Sequence, residues 1–196
     1  MKDLKIVNAK FPDFESNDWI EADILIHYGK IEKIGDVSEE CKEVIDASGK
    51  VVSPGFIDIH AHEDEFKGNR EDDFFTAQRG LLMGVTTEIV GNCGDMYNSP
   101  ETFVNRIDKE GAPVNYMTFI GQNYLREQAG AMDRYKASTV EQLDKMKMML
   151  AATKKYGPVG LSCGFEYAPG VTSEETVNLA KALDEEGYLI SVHFRD

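Results

Sequence analysis

Beyond residue 55, five short apolar runs (56–62, 85–91, 114–121, 159–165 and 188–194) alternate with stretches of helical periodicity. This alternation constrains the fold more than any other feature. Strands separated by helices run parallel, because a parallel return needs a crossover long enough to hold a helix. An α/β barrel or a doubly wound sheet follows. No glycine-rich dinucleotide fingerprint and no phosphate loop succeeds any of the runs, which weighs against the nucleotide-binding form of a wound sheet. Between the runs, residues 72–83 read as one helix, stopped by Gly84. Ser138-Thr139-Val140-Glu141 has capping-box spacing ahead of Leu143, Met146, Met149 and Leu150, which recur on one helical face. Thr172-Ser173-Glu174-Glu175 repeats the device before Val177, Leu179, Ala180 and Leu183. The Met146-Lys147-Met148-Met149 cluster reads as core packing, since Met at helical spacing fills gaps.

The first 54 residues follow another pattern. Residues 4–9 form one strand-like run, and residues 22–34 form a pair broken at Tyr28-Gly29-Lys30, where a tight turn is expected. Residues 44–47 and 50–52 flank a Ser48-Gly49 turn, and Ser53-Pro54-Gly55 punctuates the end. The expected organisation is a small β-sheet module over 1–54 and an α/β domain over 55–196. A complete barrel needs about 250 residues, so the second segment reads as the N-terminal half of one. The last residues, His193-Phe194-Arg195-Asp196, fall inside or just after a strand, so the chain reads as cut short.

Charge narrows the function. Lys and Arg total 21 against 35 Asp and Glu, a net charge of −14, so nucleic acid and anionic membrane surfaces are excluded as expected partners. The 42% hydrophobic share suffices for a packed core. No apolar run approaches the roughly 18 residues that cross a bilayer, and Met1-Lys2-Asp3-Leu4-Lys5 is not the start of a secretory leader. Cys41, Cys93 and Cys163 are odd in number and widely spaced, which argues against a disulfide framework. A soluble, cytoplasmic protein with reduced thiols is expected.

The chemistry concentrates at Asp58-Ile59-His60-Ala61-His62, at the end of an apolar run. Alternation along a strand puts His60 and His62 on one face and Ala61 on the other, so two imidazoles can reach one metal ion without distorting the backbone. Asp58 shares their parity and is expected to orient an imidazole. Cys93, flanked by Gly91-Asn92 and Gly94, follows the next apolar run. A thiolate joined to imidazoles selects zinc over magnesium or calcium. Cys41, Cys163 and His27 are read as structural.

Taken together, these stretches resemble a known family. Val52-Ser53-Pro54-Gly55-Phe56-Ile57-Asp58-Ile59-His60-Ala61-His62 is similar to the opening of the amidohydrolase superfamily, in which a small β-sandwich precedes a metal-bearing (β/α)8 barrel. Glu63-Asp64, Gly84-Val85-Thr86-Thr87 through Gly91-Asn92-Cys93-Gly94, residues 160–170 and His193-Phe194-Arg195-Asp196 narrow the resemblance to the D-aminoacylase branch, the N-acyl-D-amino-acid deacylases. Gly-Asn-Cys-Gly discriminates most, because hydantoinases and dihydroorotases use a carboxylated lysine where this branch uses cysteine. By resemblance, residues 1–54 are the sandwich module, incomplete without later strands, and His60, His62 and Cys93 ligate one or two zinc ions.

The remaining histidine ligands and the general-base aspartate of the family are expected beyond residue 196. His193 matches the His-x-Arg element that precedes those ligands, so Tyr167, His193 and Arg195 are expected to line the substrate pocket. Gly121-Gln122-Asn123-Tyr124-Leu125-Arg126 departs from the Gly-His-Gly-Thr-Leu-Arg of relatives, and Cys163 stands where they carry Ser or Thr. The implied activity is metal-dependent hydrolysis of the linear amide of an N-acyl-(D-)amino acid, a small-molecule substrate. A cyclic-amide or nucleobase amidohydrolase is the alternative within the enzyme class. The other alternative, for the 196 residues alone, is an inactive fragment or binding module. Those 196 residues are expected to be inactive in isolation, and an open strand edge leaves room for self-association.

Overall fold

The structure is a computed structural model that describes residues 1–183 and 187–195, with the backbone alone at 70 and 71. The chain divides into two compact units, Met1–Pro54 and Gly55–Asp196.

The first unit is a four-stranded sheet in the order β3-β2-β1-β4, formed by β1 (Lys2–Asp13), β2 (Asp18–His27), β3 (Lys30–Gly35) and β4 (Cys41–Asp46). β1–β2 and β2–β3 are antiparallel, while β1–β4 is parallel. The first strand runs well past the expected 4–9 because the chain reverses after it. The Asp13 carboxylate accepts bonds from the Glu15 amide (3.0 Å) and the Ser16 hydroxyl (2.6 Å), closing a turn onto β2. At the expected Tyr28-Gly29 turn both residues have positive φ, as a two-residue hairpin requires. Residues 50–52 do not form the expected strand, and only a single bridge joins Val51 to Lys10. The core of this unit is Ala9, Ile24 and Ala47 with Ile6, Phe11, Ile26 and Val52. His27 bonds Asp3 (2.9 Å), in keeping with its structural reading.

The second unit is a five-stranded sheet of parallel strands in sequential order: β5 (Phe56–Asp58), β6 (Val85–Val90), β7 (Asn115–Gly121), β8 (Gly160–Gly164) and β9 (Leu189–His193). A doubly wound sheet reverses its strand order at a switch point. Here each strand neighbours the next, the curled arrangement of half a barrel. Among the described residues, six helices connect the strands: α1 (Arg70–Asp73), α2 (Phe75–Leu82), α3 (Pro100–Glu110), α4 (Gln122–Ala129), α5 (Val140–Thr153) and α6 (Ser173–Leu183). The single helix expected over 72–83 is two short ones.

The main core lies between β7, β8 and the helices α4–α6, where Ile120, Leu125, Met146, Leu150, Leu161, Cys163, Leu179 and Leu183 are buried. Met146 is core and Met148 is exposed, so the methionine cluster packs and is no functional box. Burial pushes the Cys163 thiol up to about 12, which keeps it inert.

Both expected capping boxes are altered by tertiary bonds. The α5 box is Thr139 with Gln142, one residue later than the sequence suggests. Ser138 instead donates to the Glu175 carboxylate (2.5 Å). At α6 the Thr172 hydroxyl accepts from the Glu175 amide (3.1 Å), but the Glu175 side chain turns inward. There it meets Arg126 (2.6 Å) and Gln122 (2.8 Å) in a buried network. Among the described residues, no helix is long and apolar enough to cross a membrane.

Candidate metal centre

β5 ends at Asp58, so His60 and His62 stand on the segment leaving the strand and not within it. Their alternation nonetheless persists, because the chain remains tied to its neighbour: the Ala61 amide donates to the Ile89 carbonyl at 3.0 Å. Ala61 is buried with Val90 and Phe103, and the two histidines face the other way. Asp58 accepts a bond from the backbone amide of His60 (3.0 Å). It therefore steadies the main chain of that histidine and not, as expected, a ring nitrogen.

Cys93 follows β6 in a tight turn. Its own φ is +59°, between Gly91 at +73° and Gly94 at +82°. A non-glycine residue in this region is strained unless its surroundings impose it. Here they do. The Ser162 hydroxyl accepts from the Gly94 amide (3.0 Å) and donates to the Gly91 carbonyl, clasping the turn from β8. A Cβ on Gly164 would collide with the Cys93 carbonyl, so β8 must present a bare backbone there.

Three ligand atoms converge as a result. The donor atoms of His60, His62 and Cys93 lie within 4.8 Å of one another. Cys93 Sγ is 3.4 Å from His60 Nε2 and 3.3 Å from Nδ1 of His193, which enters from the end of β9. Burial, with His60 adjacent, lowers the His62 pKa, so its ring is neutral at pH 7 and offers a lone pair. Burial and Asp95 push the Cys93 thiol up. A cation is what converts such a thiol to thiolate, and neutral imidazoles with a soft sulfur donor suit zinc chemistry. The residues present thus fit a divalent ion.

A cleft of about 230 Å3 opens beside them, lined by His62, Glu63, Cys93, Asp95, Tyr97 and Tyr167. The buried Glu63 carboxylate accepts from the Tyr97 amide (2.9 Å), joining the histidine segment to the loop after Cys93. Of the residues expected to line a pocket, Tyr167 packs edge-on against His193, with ring centres 4.8 Å apart. His193 itself is brought against the thiol. Arg195 is directed elsewhere: its guanidinium donates to the Val171 carbonyl (3.0 Å) and lies 5.9 Å from the Phe165 ring centre. Asp196, which completes the His-Phe-Arg-Asp stretch, lies outside the described residues. Sequence reasoning missed Asn92, Ser162 and Ser191, the polar groups that hold these segments together.

Known proteins share this arrangement of elements. A model described as "Amidohydrolase family" matches residues 43–109. A D-aminoacylase of Alcaligenes xylosoxydans xylosoxydans is 29% identical over 99% of the chain, which covers 44% of that protein. A dihydroorotase of Lactobacillus johnsonii is 30% identical over 93% of the chain, corresponding to 40% of its own length. The crystal structure of N-acyl-D-glutamate deacylase from Bordetella bronchiseptica, complexed with zinc and a phosphonate inhibitor, superposes with a TM-score of 0.83 at 29% identity. That match covers all of this chain and 45% of the other. The chain therefore spans less than half the length of each of these three relatives.

Proposed function

The chain belongs to the amidohydrolase superfamily, on its D-aminoacylase branch, and from that premise we propose zinc-dependent hydrolysis of the linear amide of N-acyl-D-amino acids as the reaction it serves. The observation that carries this reading is the convergence of the His60, His62 and Cys93 donor atoms within 4.8 Å of one another, with His60 Nε2 at 3.4 Å from the thiol and His193 packed beside it at 3.3 Å. A divalent ion bound there supplies a Lewis acid for the acyl carbonyl and an acidified water.

The chain's own residues do the rest. His62 presents a lone pair on a neutral ring, and His60 brings its Nε2 beside the thiol. The Cys93 thiol releases its proton to solvent as the site loads, since only the thiolate is a strong ligand. Tyr167 lines the cleft with His193 packed edge-on against it, and the pair orients the acyl group. Arg195 offsets the substrate carboxylate on exchanging its bond to Val171. The general base is proposed to be an aspartate beyond residue 196. The four-stranded sheet of the first unit is proposed as one layer of a β-sandwich. A reducing, cytoplasmic setting is proposed because the centre depends on a free thiol.

The test is metal content after zinc loading, for the chain and for Cys93→Ala. Stoichiometric zinc in the wild type and its loss in the variant is the expected result, and undiminished zinc in Cys93→Ala overturns the reading. In a full-length relative carrying these residues, N-acetyl-D- and N-acetyl-L-amino acids assayed beside dihydroorotate and hydantoin separate linear from cyclic amides.

A further inference from the structure

The Cys93 turn owes its position to a side chain that is not itself a ligand. Asn92 is completely buried, and both the nitrogen and the oxygen of its carboxamide are hydrogen-bonded. Nδ2 donates to the Ile89 carbonyl (2.9 Å) and to the Ala61 carbonyl (3.3 Å). Oδ1 accepts from the Ser191 hydroxyl (2.9 Å). These three contacts fall on three different segments. Ala61 separates His60 from His62. Ile89 lies on β6, which delivers Cys93. Ser191 lies on β9, two residues before His193 and therefore on the same face of the strand.

We propose that Asn92 is the positioning residue of the metal centre, fixing the histidine pair, the cysteine and His193 at their mutual distances through one buried carboxamide. The inference rests on the preceding reading that these residues bind a metal.

The chemistry requires this side chain. Two donors and an acceptor on a short stem are offered by asparagine alone. Aspartate has the length but no donors, glutamine has the groups but an extra methylene, and serine reaches one partner only. Ala61 is held at both ends of its residue, its amide on Ile89 and its carbonyl on Asn92. The flanking histidines cannot shift along the strand direction without breaking one of these bonds. The covalent link to Cys93 then passes the same constraint to the thiol. Ser162 acts alongside by clasping Gly91 and Gly94, so Asn92 sets where the turn sits and Ser162 sets its shape.

The test uses Co2+ as the probe, titrated into the metal-free chain and read by its thiolate charge-transfer and ligand-field absorption. Removing a group that holds ligands in place costs about 10–100-fold in metal affinity. Asn92→Ala is therefore expected to bind Co2+ that much more weakly, with an altered thiolate band, while circular dichroism shows the fold retained. Equal affinity with an unchanged spectrum overturns the proposal while leaving the metal centre intact. Absence of Co2+ binding by the wild type overturns the underlying reading instead, and the proposal with it. Should Asn92→Ala fail to fold, Ser191→Ala and Ser191→Thr decide. Loss in the alanine variant and recovery in the threonine variant, which keeps the hydroxyl, is the expected pattern. Indifference of both overturns the positioning role.

Discussion

Two buried polar networks adjoin β8, and they are built on opposite plans. The one around Cys93 is neutral, made of the Asn92 carboxamide, the Ser162 and Ser191 hydroxyls and backbone groups. The one between α4 and α6 is charged. Arg126 and Glu175, both 2% exposed, pair at 2.6 Å. Gln122 and Ser138 donate to the same carboxylate, and Arg126 also donates to the Lys136 (2.7 Å) and Asp133 (3.3 Å) carbonyls. A neutral network adds no charge of its own beside the thiol and imidazoles, where the nearby charge is the Asp95 carboxylate, so the group stays open to a cation. A closed ion pair leaves nothing over, and it only locks helices together.

The contrast breaks most visibly under single substitutions in the charged network. Glu175→Ala strands the Arg126 guanidinium in the core and is expected to cost about 3–5 kcal/mol of unfolding free energy. The Arg126→Leu/Glu175→Leu double variant is expected to cost less than either single change, because no charge is left unpaired. Urea unfolding of Glu175→Ala, Arg126→Leu and the double variant checks this, and a loss in either single variant below that of the double variant would contradict it. Co2+ affinity per folded molecule is expected to stay at the wild-type value throughout. Ser162→Ala reverses the pattern at smaller scale. The Gly94 amide and Gly91 carbonyl lose their partner in a buried turn, at a cost of about 1–3 kcal/mol, and Co2+ affinity falls with stability. An unchanged affinity in Ser162→Ala would make the two networks equivalent.

The sequence made the parallel strands legible because strands covered on both faces are continuous apolar runs. The strands after the first lie within a residue or so of the expected ranges. The first was read through His62 yet ends at Asp58, since an apolar run does not reveal where ladder bonds stop. Helices α3 and α4 escaped notice. α3 carried a usable signal, Ser99 capping at the Thr102 amide with Pro100 at the first helical position. α4 starts without a side-chain cap, so nothing local announces it. The candidate ligands His60, His62 and Cys93 stand out by spacing and residue type, and their donor atoms lie within 4.8 Å of one another. Their supports were not legible, because Ser162 and Ser191 lie 71 and 99 residues from the groups they bond. The α5 cap was off by one residue for the same reason: its first candidate, Ser138, is claimed by Glu175.

A buried carboxylate outside both networks sharpens the comparison with the smallest expected effect. Glu88 on β6 is 3% exposed, and among the described residues no ion pair reaches it. Burial, with Asp58 and Asp64 nearby, raises its pKa, while the Tyr116 hydroxyl bond works in the opposite sense. Glu175 has a guanidinium for its charge, whereas Glu88 has only a phenol. The folded chain therefore holds the Glu88 proton to higher pH than the unfolded chain does. As pH rises from the ordinary carboxylate value through the raised one, the unfolded state has released a proton that the folded state retains, so stability falls across that window. Glu88→Gln keeps the shape and the tyrosine bond but has no proton to lose. It is expected to gain stability on the wild type as pH rises from ~4 to ~8, read as the difference between their urea midpoints. A difference that stays constant over that range would mean that Glu88 carries its charge as comfortably as Glu175 does, and that pairing is not what separates them.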